Sequence, residues 1–402
     1  MKTYADRKYL LIINIFMQLV FCFFNLFFNI YAYSLKSDIN FVLIYNLCFH
    51  LFIFVLTFVF NKIASKRIMS IMYKTSFFIV LLCTGVTFFL NSKNTYLVFV
   101  IQFIYALASV CYYIPNEIST MSKNSKSQMK NFLGLQSALS IFSLVLSPFL
   151  SGVIIDYISH QILFLIMSIC SVICLSFSLN LNIVDEEVKH IPLNEYLKDS
   201  HKDKAVRQGY LGYAFSKFAL DGPISIILSL VLFFKTGTNF SVGLYSALAS
   251  FIACIVLILY SYFVKKTILS MWICSIGYCI VSILVLVSGS IVSFFIYYFT
   301  KAIVTKLLTV EINSNLFTLV NHTSLKEYKV AQRVTICIYS KSAILLASII
   351  CFVLYNINHS IIGLIIFFVV CSFLQLFSTY FVTQSYKSLK NEIEFNEVVK
   401  KI

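Results

Sequence analysis

Charge is what this chain has least of. Asp, Glu, Lys and Arg together make 12% of 402 residues, while hydrophobic residues make 60%. A soluble chain of this length cannot bury so much apolar surface, so the composition excludes a soluble globular protein and points to an integral membrane one. Acids are scarcest, 16 against 31 basic residues, which leaves a net charge of +15. In a soluble chain that excess would suggest nucleic acid. Here loops facing anionic lipid account for it, and no nucleic-acid partner is expected. Also missing are a Walker loop, a His-Glu-x-x-His sequence and any cluster of His, Cys and Asp. The sequence therefore offers no basis for ATP-driven transport by this chain alone, and no cofactor or metal is expected. The 12 cysteines fall in apolar stretches and none pairs in an exterior loop, so they read as small core residues.

What is present is long apolar sequence. A helix needs about 20 apolar residues to cross the hydrocarbon core. Twelve stretches qualify: roughly 9–34, 41–60, 69–90, 96–115, 132–155, 161–183, 209–234, 240–263, 267–288, 290–310, 334–356 and 360–384. The first is too long for a signal-peptide core and lacks a small-residue cleavage site, so it reads as a membrane helix. Basic residues sort by loop parity. Odd-numbered connections carry only Lys36, Lys93 and Lys235, five lysines lie inside stretches (Lys74, Lys217, Lys301, Lys306 and Lys341), and the other 23 occupy even-numbered connections and the tails. Basic loops stay cytoplasmic, so both termini are expected in the cytoplasm. The predicted fold class is an all-α polytopic membrane protein of 12 transmembrane helices in two six-helix halves, in the bacterial cytoplasmic membrane and monomeric. The halves are 1–183 and 209–384, joined by a cytoplasmic linker at 184–208 that holds six acids and five bases. A charged tail follows at 385–402. The halves echo one another faintly, with Gln136-Ser137-Ala138 against Lys341-Ser342-Ala343, and Pro115-Asn116-Glu117 against Glu311-Ile312-Asn313.

Two local patterns, with this topology, carry a resemblance. The loop between spans two and three reads Asn61-Lys62-Ile63-Ala64-Ser65-Lys66-Arg67. Span five reads Ser143-Leu144-Val145-Leu146-Ser147-Pro148-Phe149-Leu150-Ser151-Gly152. The chain resembles the major facilitator superfamily. That family carries Asp-Arg-x-Gly-Arg-Arg/Lys at the first place, and its proton-coupled exporters carry Gly-x-x-x-Gly-Pro-x-x-Gly-Gly at the second. Basic character at Lys62, Lys66 and Arg67 is kept, but the acid has become Asn61 and the glycine Ala64. Spacing and Pro148 match, with serines replacing three of four glycines and Gly152 retained. The resemblance implies alternating access, with spans one, four, seven and ten lining a central pathway.

Polar side chains at helical spacing mark where such a pathway would run. Span one presents Asn14, Gln18, Asn25 and Asn29, and span four presents Gln102, Tyr105, Ser109, Tyr112 and Asn116. Such faces avoid lipid and turn toward protein or a wet cavity. Interhelical hydrogen bonding without substrate contact is the competing reading. Span seven carries Lys217 and Asp221 four apart, which allows an ion pair. Gly222-Pro223 follows and predicts a kink or break. Span ten places Lys301 near mid-membrane, with Lys306 off to the side and Glu311 at a membrane edge. Lys341 lies about two turns into span eleven. Lys306 and Lys341 are able to snorkel to the interface; Lys301 stands without an obvious carboxylate. An ammonium in the bilayer needs a reason, and an anionic group on the solute would supply one. His50 reads as structural.

These observations lead to a secondary active transporter, proton-coupled and exporting a small amphipathic or anionic organic solute, with Asp221, Glu117 or Glu311 for coupling. A flippase for a phospholipid or lipid-linked sugar would also use a basic cavity. A membrane-embedded glycan polymerase or ligase would need a sizeable exterior loop, and none is present.

Overall fold

The structure is a computed structural model, and it describes residues 2–122, 143, 145–179, 181, 189, 191–263, 267–322, 327–358 and 361–399. Every regular element among them is helical. Span one is α1 (Lys2–Cys22), a π turn (Phe23–Phe27) and α2 (Phe28–Lys36). Then come α3 (Ile39–Ile63), α4 (Lys66–Thr87), α5 (Leu97–Ser122), α6 (Val145–Tyr157) and α7 (His160–Leu179). The rest are α8 (Leu193–Lys202), α9 (Lys204–Leu220), α10 (Pro223–Thr236), α11 (Asn239–Phe263), α12 (Thr267–Ser288), α13 (Ile291–His322), α14 (Lys329–Asn358) and α15 (Ile361–Val399). Among the described residues, eleven spans are long and apolar enough to cross a membrane. They correspond to the predicted spans except the fifth, of which α6 is the described helical part. Its start, at 132–142 with the Gln136 echo, lies outside the described residues.

Local chemistry explains several boundaries. Asp38 caps α3 by accepting from Asn40 N–H at 2.9 Å, and Ser65 caps α4 by accepting from Ile68 N–H at 3.3 Å. The loop that carries Lys62, Lys66 and Arg67 is thus a tight turn between two helices, with Ala64 buried in it. Pro115 does not end α5, which runs seven residues further than the predicted span. The charged tail is helical as far as Val399. It continues α15 without interruption, and Ser385 and Leu389 are buried, because Ser385 donates to Ala205 O at 2.9 Å and receives Asn315 Nδ2 at 3.1 Å. Likewise α13 extends to His322, so Glu311 lies within a helix and is buried.

The chain groups into two compact units, Met1–Val188 with Ser225–Phe251, and Lys189–Ile224 with Ile252–Ile402. Chain order and packing therefore partition it differently, since α10 and the first half of α11 pack within unit 1. In unit 1, α5 packs on α3 and α4, and α7 packs on α1 and α4. A second contact there is set by glycine. A Cβ on Gly152 would lie 2.6 Å from Asn239 O, and one on Gly243 would lie 2.3 Å from Pro148 O. The small-residue pattern of span five therefore brings α6 and α11 to backbone contact. Asp156 fastens the same contact, accepting from Asn239 Nδ2 at 2.8 Å and Phe240 N–H at 2.6 Å. In unit 2, α9 packs against α13, α14 and α15, and α8 lies on α9 and α14. Tyr196 of α8 is fully buried, which pushes its phenol up to about 12. The linker is therefore docked on unit 2 by a hydroxyl contact to Tyr210 at 3.3 Å and a bond between His201 and Tyr339.

Candidate functional site

The polar stripe of unit 1 closes on itself. Asn14 Oδ1 accepts from Tyr112 O–H at 2.5 Å and Asn116 Nδ2 at 3.2 Å. Asn25 Oδ1 accepts from Tyr105 O–H at 3.4 Å. Asn29 Oδ1 accepts from Tyr45 O–H at 2.6 Å and Asn46 Nδ2 at 2.9 Å. Each asparagine of span one thus takes a tyrosine hydroxyl from span two or four. Tyr105 is buried between the rings of Phe24 and Phe49, at 4.4 and 5.1 Å. Tyr112 stacks on Tyr73 at 5.6 Å. These bonds supply the interhelical alternative left open by the sequence. Gln18 is half-buried and Asn25 exposed, so of the candidates on this stripe those two keep accessible atoms. Asn25 sits in the π turn, whose wider ring disturbs the regular backbone ladder, and Asn29 Nδ2 donates to Asn25 O at 3.0 Å. Glu117 is exposed on α5.

Unit 2 holds charge instead. Residues Asp221, Gly222 and Pro223 break span seven in the order helix chemistry favours. Asp221 closes α9, its N–H donating to Lys217 O at 3.2 Å. Gly222 follows at φ +65°, a left-handed position where a side chain would be strained. Pro223 opens α10, where its missing N–H costs nothing. At the break, Lys217 Nζ lies 2.5 Å from Asp221 Oδ2, with side-chain exposures of 20% and 33%, so the ion pair expected from the spacing is formed. The ammonium also stands 5.4 Å from the centre of the Tyr213 ring.

The break lets a neighbouring helix approach. A Cβ on Gly222 would lie 2.5 Å from Ile344 Cγ2, so α14 is seated directly against it. Lys341 shares a helix face with Ile344 one turn away. The Asp221 carboxylate accordingly interacts electrostatically with Lys217, Lys301 and Lys341. Lys301 interacts with Asp221, Lys306 and Lys217, and Lys306 with Asp221 and Lys217. Lys301, Lys306 and Lys341 are half-buried. Lys301 lies ten residues into α13 and Lys341 twelve into α14, about 15 and 18 Å along their axes. The reading of Lys301 as a cation apart from any carboxylate is corrected: tertiary packing brings it into the field of Asp221. Sequence inspection named all five residues but did not foresee that they converge.

A second acid, Glu311, is buried on α13. Glu311 Oε1 accepts from Tyr260 O–H at 2.9 Å, and Tyr260 also contacts Ser270 at 2.8 Å. No group of three or more metal-ligating side chains occurs among the described residues.

No family model and no curated protein matches the chain in sequence. Solved structures do match. A bacterial homologue of the iron transporter ferroportin, in an outward-facing state, superposes with a TM-score of 0.67 at 14% identity, over 96% of this chain and 100% of that one. The nucleoside transporter NupG superposes with a TM-score of 0.66 at 11% identity, over 95% and 99%. At such identities the likeness establishes the fold alone, a polytopic helical architecture shared with these two transporters. Neither match bears on the exporter motif.

Proposed function

We propose that the chain is a secondary transporter of an anionic organic solute, working by alternating access in the bacterial cytoplasmic membrane. The observation that carries this reading is the gathering of Lys217, Lys301, Lys306 and Lys341 around the single carboxylate of Asp221 at a broken helix. Ammonium groups at this depth are costly without counter-charge, and an anion taken from solution supplies it. Broken helices are where transporters of several folds hold ions and substrates. The likeness in fold to two transporters supports the same class. A metal cation would meet four ammonium groups and one carboxylate, which disfavours cation cargo. Proton coupling falls to Asp221, at the break of span seven, or to Glu311, buried on α13, and export remains the direction suggested by the span-five pattern.

The test is flux in proteoliposomes with an imposed pH gradient and a panel of organic anions. Uptake or release of at least one anion is expected, and Lys301→Gln should lower its initial rate at least tenfold with the melting temperature unchanged. Unaltered kinetics in Lys301→Gln would sink the lysine site. Scrambling of labelled lipid without solute flux would favour a flippase.

A further inference from the structure

We infer, resting on the anionic reading above, that the site is built for a solute carrying two or more negative charges, a phosphate monoester or a dicarboxylate, and that Asp221 is its resident counter-anion. The argument begins with the broken helix. Asp221 pairs with Lys217 at 2.5 Å through the last turn of its own helix, so this bond is made by local geometry alone. Lys301, Lys306 and Lys341 arrive from α13 and α14 and interact with the same carboxylate. One carboxylate offsets one ammonium, and the site keeps an excess of positive charge. Attraction of a ligand to that excess scales with the ligand's own charge, so a divalent anion gains about twice what a monovalent one does. Divided charge also suits the layout, because the lysines come from three helices and not from one. The Asp221 carboxylate lowers the potential for every incoming anion and competes with it for Lys217. The Gly222 contact with Ile344 holds Lys341 beside this pair, so the arrangement is a property of packing and does not need the ligand to assemble it.

Binding is read calorimetrically on the full chain in detergent, at low salt and pH 7, with two matched pairs. They are succinate against succinamate, and methyl phosphate against dimethyl phosphate. Wild type is expected to bind the divalent member of at least one pair tenfold or more tightly than the monovalent one. Asp221→Asn removes the competitor and should tighten binding of both members severalfold, the divalent at least as much. Lys301→Gln should shrink the divalent preference to less than threefold while monovalent binding persists, and it serves as the second variant should Asp221→Asn not fold. Equal affinity for both members of each pair would overturn the divalent site while leaving an anion transporter standing. Weaker divalent binding in folded Asp221→Asn would overturn the role given to Asp221. Binding of no anion by folded wild type and folded variants would overturn both this inference and the anionic reading beneath it.

Discussion

The two units meet the same physical problem, polar side chains inside a membrane span, in opposite ways. In unit 1 the polar groups of span one are neutral and bond to one another, with Asn14, Asn25 and Asn29 each receiving a tyrosine hydroxyl and Asn14 Nδ2 alone of them buried without a partner. Such a network carries no net charge. In unit 2 neutral pairs such as Tyr278 with Tyr297 also occur, but the groups at the break of span seven are ionic and unequal in number, four lysines to one aspartate. A set of that kind is incomplete in charge, and incompleteness is what a binding site requires. Polarity within a span is thus a poor guide to function by itself; whether the groups balance is the better one.

The comparison is sharpest at Asp221. Asp221→Leu leaves the lysines without their resident carboxylate and should be the most damaging change. Breaking a fully buried pair costs about 3–5 kcal/mol and an exposed one about 0–1 kcal/mol. With both side chains partly exposed, about 2 kcal/mol is expected, read as a lower melting temperature in low-salt buffer. Lys217→Met should cost less, about 1 kcal/mol, since Asp221 keeps Lys301 and Lys341 in its field. If the two substitutions are equally destabilising, Asp221 is tied to Lys217 alone and the cluster is not one electrostatic unit. Tyr112→Phe should be the mildest, at about 0.6 kcal/mol for one interhelical hydrogen bond. Transport kinetics should not change, because Tyr112 is buried against Asn14 and Tyr73. A large rise in KM in Tyr112→Phe would instead return the unit 1 stripe to the pathway.

Much of this was legible along the chain because its causes are local. Helix length, apolar composition and the sorting of lysines by loop depend on nothing distant. The break in span seven is equally local, since Gly222 and Pro223 act through their own backbones. The i,i+4 spacing of Lys217 and Asp221 permitted their pair for the same reason. Other features had no local signal. The π turn at Phe23–Phe27 has no residue type that announces it, and it alters the register on which the span-one stripe was read. The extension of α13 past Glu311, and the burial of Ser385 on α15, depend on partners far along the chain.

By itself, then, the sequence determined that the chain is helical and membrane-embedded, which loops are basic, and that lysines must be accommodated within its spans. Those follow from the cost of placing backbone and charge in hydrocarbon, which each segment meets individually. Only the tertiary structure decided that Lys301 and Lys341 lie in the field of the carboxylate that pairs with Lys217, and that each asparagine of span one takes a tyrosine hydroxyl. Both depend on distances between helices, and those are set by packing contacts such as Gly222 against Ile344 that no single segment contains.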